Sequence, residues 1–139
     1  MAWAVFAAAG CGPSLPPLPE PNTTGFAAPV REQIEGSLAE ARERPRDPAT
    51  VGRLGMMLHA YEEFRGAAQA YRRARALEPA EFRWAYYLGL ALASVGDDEA
   101  ALTELEGALA VRADYAPLRV KLGDLLLARD DPGAAEAQY

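Results

Sequence analysis

One interval of 34 residues governs this chain. Leu54-Gly55, Leu88-Gly89 and Leu122-Gly123 stand 34 apart, and Ala67, Ala101 and Ala135 each follow the leucine of a pair by thirteen residues. Tyr71, Leu105 and Tyr139 extend the register as large apolar residues. Ala74 and Ala108 add a second small position, and Pro79 closes the first unit. A unit recurring at this period buries its apolar surface against its neighbours, so the copies are expected to stack into a solenoid.

Leu-Gly early in each unit, small residues later and a closing Pro, all at 34-residue spacing, resemble the tetratricopeptide repeat from about Asp47 onward. The resemblance implies an all-α, helix-turn-helix repeat solenoid of about two and a half units over 47–139. The first repeat is expected to run from 48 to just past 79, with helices near 49–61 and 64–77. The second covers about 82–115. The third begins near 116 and is expected to be incomplete, reaching only two turns into its second helix at Tyr139. Gly55, Ala67 and Ala74 are small where helices must cross closely, and Leu54, Leu58, Phe64, Tyr71 and Leu77 fill the space between them. An unfinished last unit is expected to present Leu122, Leu125, Leu126 and Tyr139 to a neighbour, so self-association through the third repeat, or a chain that is a fragment, is part of the expectation.

Ahead of the repeats lie three segments. Residues 1–11 are an apolar stretch, MAWAVFAAAG, followed at once by Cys11. An apolar run closing in Ala-Ala-Gly-Cys resembles a bacterial lipoprotein signal, in which the cysteine thiol receives the lipid, although Ala8 replaces the usual Leu and no basic residue opens the run. The competing reading is an apolar scrap with a small inert thiol. Ten apolar residues are too few to cross a bilayer. Residues 12–28 carry Pro13, Pro16, Pro17, Pro19 and Pro21 and read as a disordered Pro-rich tail, extended and mobile. In polyproline II it would reach roughly 50 Å, a tether holding a domain off a membrane; a Pro-rich ligand is the alternative use of such a composition. Residues 29–46 hold an amphipathic helix with Val30, Ile34, Leu38 and Ala41 on one face, read as an N-terminal capping helix.

Composition excludes several functions. The formal charge is -6 and the pI about 4.8, which opposes nucleic-acid binding. A single cysteine rules out an intrachain disulfide and a multi-thiolate metal site within the 139 residues. A single histidine, His59, leaves little for acid-base or nucleophilic chemistry. Its acidic neighbours Glu62 and Glu63 would supply too few ligands for zinc. Asp97-Asp98-Glu99 and Asp130-Asp131 lack the ligand spacing of a calcium loop and suit helix starts instead. Arg72, Arg73 and Arg75 read as a solvated outer face. No enzyme activity, cofactor or metal is expected.

In the repeat family the first helices of successive units line a concave groove. Carried over by position, the groove residues are Gly52, Met56 and His59 in repeat one, Arg83, Tyr86, Leu90 and Ala93 in repeat two, and Val120, Asp124 and Leu127 in repeat three. Gly52 and Met56 stand where carboxylate-clamping relatives carry Lys and Asn, so a carboxylate clamp is not expected. A groove of Met, Tyr, Leu and Val suits an extended or helical apolar peptide, while Met56 could equally serve as core filler. The expected function is therefore a scaffold binding a peptide or partner protein, tethered to a membrane through lipid on Cys11 and facing the periplasm of a bacterial cell envelope, or cytoplasmic if the signal is not genuine. The alternative is the N-terminal repeat portion of a larger secreted protein with an enzymatic or cofactor-bearing C-terminal domain.

Overall fold

The computed structural model describes residues 14–139; the apolar segment 1–11 with Cys11, expected to accept the lipid, lies outside the described residues, as do residues 12 and 13 of the Pro-rich stretch. Its seven described helices are α1 (Ala28–Glu43), α2 (Pro48–Ala60), α3 (Phe64–Leu77), α4 (Phe82–Ser94), α5 (Asp98–Val111), α6 (Ala116–Ala128) and α7 (Pro132–Glu136). The 34-residue period is carried into the backbone residue by residue. Helices α2, α4 and α6 begin 34 apart and each has 13 residues, and α3, α5 and α7 also begin 34 apart.

The helix starts repeat for a chemical reason. Glu63, Asp97 and Asp131, 34 apart, precede α3, α5 and α7, and their carboxylates accept from the backbone N–H of Gly66 (2.8 Å), Ala100 (3.3 Å) and Ala134 (3.0 Å). Each satisfies an N–H that the helix leaves without a partner. The residue before each cap turns the chain through positive φ: Glu62 at 60°, Gly96 at 81° and Asp130 at 58°. Only the middle turn uses the residue that adopts this conformation freely.

Small residues set the distance between helices within a repeat. A Cβ on Gly55 would sit 2.6 Å from the ring of Tyr71, one on Gly89 2.6 Å from Leu105, and one on Gly123 2.8 Å from the ring of Tyr139. The large residue of each repeat's second half, in α3, in α5 and just past α7, thus rests on the glycine of the first helix, sixteen positions earlier. Ala67, Ala74, Ala101, Ala108 and Ala135 are fully buried at the same crossings. One continuous core runs from Ile34 of α1 to Leu125 of α6, and α1 caps its first end with Ile34, Leu38 and Ala41. Tyr61, at the end of α2, donates its hydroxyl to Gln33 of α1 (2.7 Å).

Three expectations need correction. The Pro-rich stretch lacks helix and strand between residues 14 and 23, but it is not a free tether: Pro19 is fully buried and Leu18 and Phe26 pack on the core. Arg73 clamps it, donating from Nη1 to the Pro16 carbonyl (2.6 Å) and from Nε to the Pro45 carbonyl (2.8 Å). Proline cannot donate, yet its carbonyl is an unweakened acceptor. The arginines of α3 are accordingly not all solvated, because Arg75 also pairs with Glu104 of α5. Finally, Leu122 and Leu125 are buried within this chain, so the apolar surface of the third repeat is smaller than expected, while Tyr139, whose ring lies over Gly123, stays 65 % exposed as expected.

Candidate functional site

Helices α2, α4 and α6 stand side by side as the first helices of successive repeats, and their shared face carries the predicted groove. At the junction of α2 and α4 the groove is filled. Trp84 of α4, only 4 % exposed, lays its ring on the backbone of Gly52, where a Cβ would overlap the indole. Its Nε1 donates to Glu78 (3.0 Å), which satisfies the buried N–H. Gly52 is therefore a packing position and not part of an open groove, correcting its assignment.

At the junction of α4 and α6 the groove is open. Tyr86 occupies the place of Gly52 one repeat on, and Val120 the place after that. Leu118, 34 residues beyond Trp84, turns fully into the core and covers nothing outside. What remains is a recess of about 480 Å³ lined by Tyr86, Leu90, Ala116, Pro117, Val120, Lys121 and Asp124. Its walls are apolar. Lys121 and Asp124 bring one charge of each sign to its edge, and Asp124 Oδ1 accepts from the Tyr139 hydroxyl (3.0 Å).

Behind the recess runs a chain of aromatic rings. Phe64 and His59 are 5.3 Å apart, His59 and Tyr71 6.1 Å, Tyr71 and Tyr87 5.6 Å, Tyr87 and Tyr86 5.6 Å, Tyr86 and Tyr115 5.4 Å, and Tyr115 and Phe82 5.3 Å. All six pairs meet edge to face or tilted, the arrangement favoured by the ring quadrupole. Arg112 covers the far end, 4.9 Å from the Phe82 ring centre. Burial raises the phenol pKa of Tyr71 and Tyr86 and lowers the imidazole pKa of His59. All three rings are uncharged at neutral pH.

Of the residues predicted for the groove, Tyr86, Leu90, Val120 and Asp124 come together in the recess. Leu127 is exposed (48 %) nearly one turn beyond Asp124 on α6, continuing the apolar strip. Met56 is exposed (41 %) on α2, on the far side of Trp84 from the recess in the chain order of the helices. His59 is half-buried in the aromatic chain, and Ala93 packs partly into the core. Arg83 sits at the start of α4, paired with Glu81 (2.9 Å) and placed over Trp84, and does not line the recess. Sequence reasoning missed Ala116, Pro117 and Lys121. Pro117 stands in the first turn of α6 and carries none of the repeated marks, yet it lines the same recess as Val120.

No protein-family profile matches the chain, and no curated protein does. Solved structures match its fold. A crystal structure of MamA superposes with a TM-score of 0.76 at 21 % identity, covering 79 % of this chain and 64 % of that one. A second MamA crystal structure gives 0.76 at 21 % identity, over 80 % and 61 % of the respective chains. The MamA RS-1 ArsTM double mutant gives 0.75 at 20 % identity, over 80 % and 62 %. The match thus spans just under two thirds of the MamA chains. With Leu-Gly and Ala marks in phase, 34-residue helix starts and these neighbours, the chain has the fold of a tetratricopeptide-type helical repeat protein.

Proposed function

We propose that this protein is a scaffold that binds a partner protein, taking an apolar segment of it into the recess between α4 and α6. One observation carries the reading: an open recess of about 480 Å³ whose walls are Tyr86, Leu90, Pro117 and Val120, placed where two successive first helices meet. Shallow apolar grooves between helices take amphipathic or extended peptides by seating a few side chains. Lys121 and Asp124 at the edge fix orientation through the partner's own charges. The scaffold acts by binding and performs no chemistry. Among the described residues no three of His, Cys, Asp and Glu are grouped as metal ligands.

We further propose that the protein is held at a membrane in the bacterial cell envelope by lipid on Cys11, a reading supported by the Ala-Ala-Gly-Cys sequence. Among the described residues no helix is long and apolar enough to cross a membrane. Peptides selected from a random library against the 139-residue chain test the binding site. They should be rich in apolar residues and lose at least about tenfold in affinity on Val120→Glu, since an unpaired charge in an apolar contact costs more than 1.4 kcal/mol. Selected peptides that bind Val120→Glu as well as the parent refute the site. Lipid attachment is tested by labelling bacteria with a fatty-acid analogue: the parent should incorporate it and Cys11→Ser should not.

A further inference from the structure

The α1–α2 turn differs in charge from the other turns of the array, since Glu78 and Glu81 stand in the α3–α4 turn on the same rim. The turns that join α2 to α3, α4 to α5 and α6 to α7 carry Glu62-Glu63, Asp97-Asp98-Glu99 and Asp130-Asp131. Around the α1–α2 turn Arg42, Arg44 and Arg46 are all exposed, and on α3 Arg72, next in sequence to the Arg73 that contacts Pro45, is exposed too. Arg73 fixes this neighbourhood, because its bond to the Pro45 carbonyl brings α3 against the turn flanked by Arg44 and Arg46. Among the described residues none of Arg42, Arg44, Arg46 and Arg72 takes part in an ion pair. Nearby carboxylates offset them only in part: Asp47, hydrogen-bonded to the Ala49 N–H and the Thr50 hydroxyl, also attracts Arg44, Glu104 is paired with Arg75, and Glu43 is exposed, so four arginines face two carboxylates. Arg42 stands in the last turn of α1, where a cation also favours the helix dipole. Arg46 and Arg72 have no such explanation.

The N-terminal strap leads to this same place. Arg73 holds the Pro16 carbonyl, and Pro16 and Arg72 line one outer recess. Residues 1–10 of the sequence are apolar and include Trp3 and Phe6. Cys11 precedes Pro16 by five positions, at most about 18 Å of chain, so only a short length of chain joins the apolar sequence ahead of Cys11 to the place where Arg73 holds Pro16. We infer that the rim formed by Arg42, Arg44, Arg46 and Arg72 docks on the anionic headgroups of a phospholipid membrane. An apolar anchor with an adjoining basic patch is the two-signal arrangement that membrane attachment requires. In a chain of net charge -6, a basic patch beside the anchor also orients the array, with the acidic rim directed away from the bilayer. The inference rests on the clamped strap and the arginines and does not depend on lipid at Cys11.

Vesicle sedimentation tests it, using the full 139-residue chain with Cys11→Ser so that no lipid is attached. Vesicles of phosphatidylcholine with phosphatidylglycerol should bind the protein more tightly than phosphatidylcholine alone, and salt should weaken that binding. Arg42→Gln, Arg44→Gln, Arg46→Gln and Arg72→Gln combined should remove it, each arginine contributing about fivefold. A control carrying Arg31→Gln, Arg65→Gln and Arg129→Gln should lose much less, with both proteins checked by thermal melting for an intact fold. Equal binding to neutral and anionic vesicles, equal loss in the two variants, or tighter binding to single-stranded DNA than to anionic vesicles would each overturn the inference. If the fourfold variant does not fold, Arg46→Gln with Arg72→Gln replaces it, and unchanged vesicle binding in that pair is also a refutation.

Discussion

The two junctions between repeats are built from the same positions and do opposite things. At the first, glycine at position 52 lets Trp84 lie flat on α2, so the groove is closed and apolar area is spent on stability. At the second, Tyr86 and Val120 occupy the matching places, Leu118 turns inward, and an apolar recess stays open. The period fixes where helices stand, while the residue at one ladder position decides whether a junction is sealed or available. Stability and, in the function proposed above, binding are thus assigned to adjacent copies of one unit.

Removing the seal should have the largest effect. Trp84→Ala deletes a ring that is 4 % exposed and should cost about 3–5 kcal/mol, read as a lower urea midpoint. A variant melting with the parent would mean that the first junction is not held by this ring. Adding one methyl beneath the ring comes next. Gly52→Ala should destabilise by about 1–3 kcal/mol through overpacking, even though alanine gains roughly 1 kcal/mol over glycine in helix propensity. The matching change at the open junction, Val120→Ala, alters a side chain that is 49 % exposed and should leave stability within about 0.5 kcal/mol. Equal effects at positions 52 and 120 would erase the distinction between the junctions.

The smallest effect is a pH dependence carried by His59. Burial holds its imidazole below the ordinary value of 6.5, so the unfolded chain takes up the proton first as pH falls. The contribution of His59 to stability is fully present above pH 6.5 and declines as pH drops from there through the lower folded value. Because the ring is only half-buried the decline is slight. His59→Gln should remove that part of the acid sensitivity in melts recorded between neutral and mildly acidic pH.

The array was legible because its information is written three times. Leu-Gly, Ala and the large residue sixteen positions after each glycine have to agree in every copy, so helix starts near 49, 82 and 116 could be placed from phase, within one residue of those observed. Four of the groove residues fell into one recess for the same reason. The seal was not legible, since Trp84 stands outside the repeated marks and its partner Gly52 has no side chain to announce a contact. The docked strap was hidden differently. Its composition reads as unfolded chain, and the acceptors that hold it are backbone carbonyls of Pro16 and Pro45, which carry no residue-specific signal. The turn residues at 62, 96 and 130 show a third limit: glycine is present at only one of three positions with positive φ, so the turns were recognised by spacing and acidic caps instead.

The central claim is that the recess between α4 and α6 is the binding surface, and calorimetric titration of a library-selected peptide into single-site variants tests it most directly. Val120→Glu in the recess should weaken the peptide by at least about tenfold, and Arg65→Glu on the exposed face of α3 should leave its affinity unchanged. Undiminished affinity in Val120→Glu, or an equal loss in Arg65→Glu, would contradict the account.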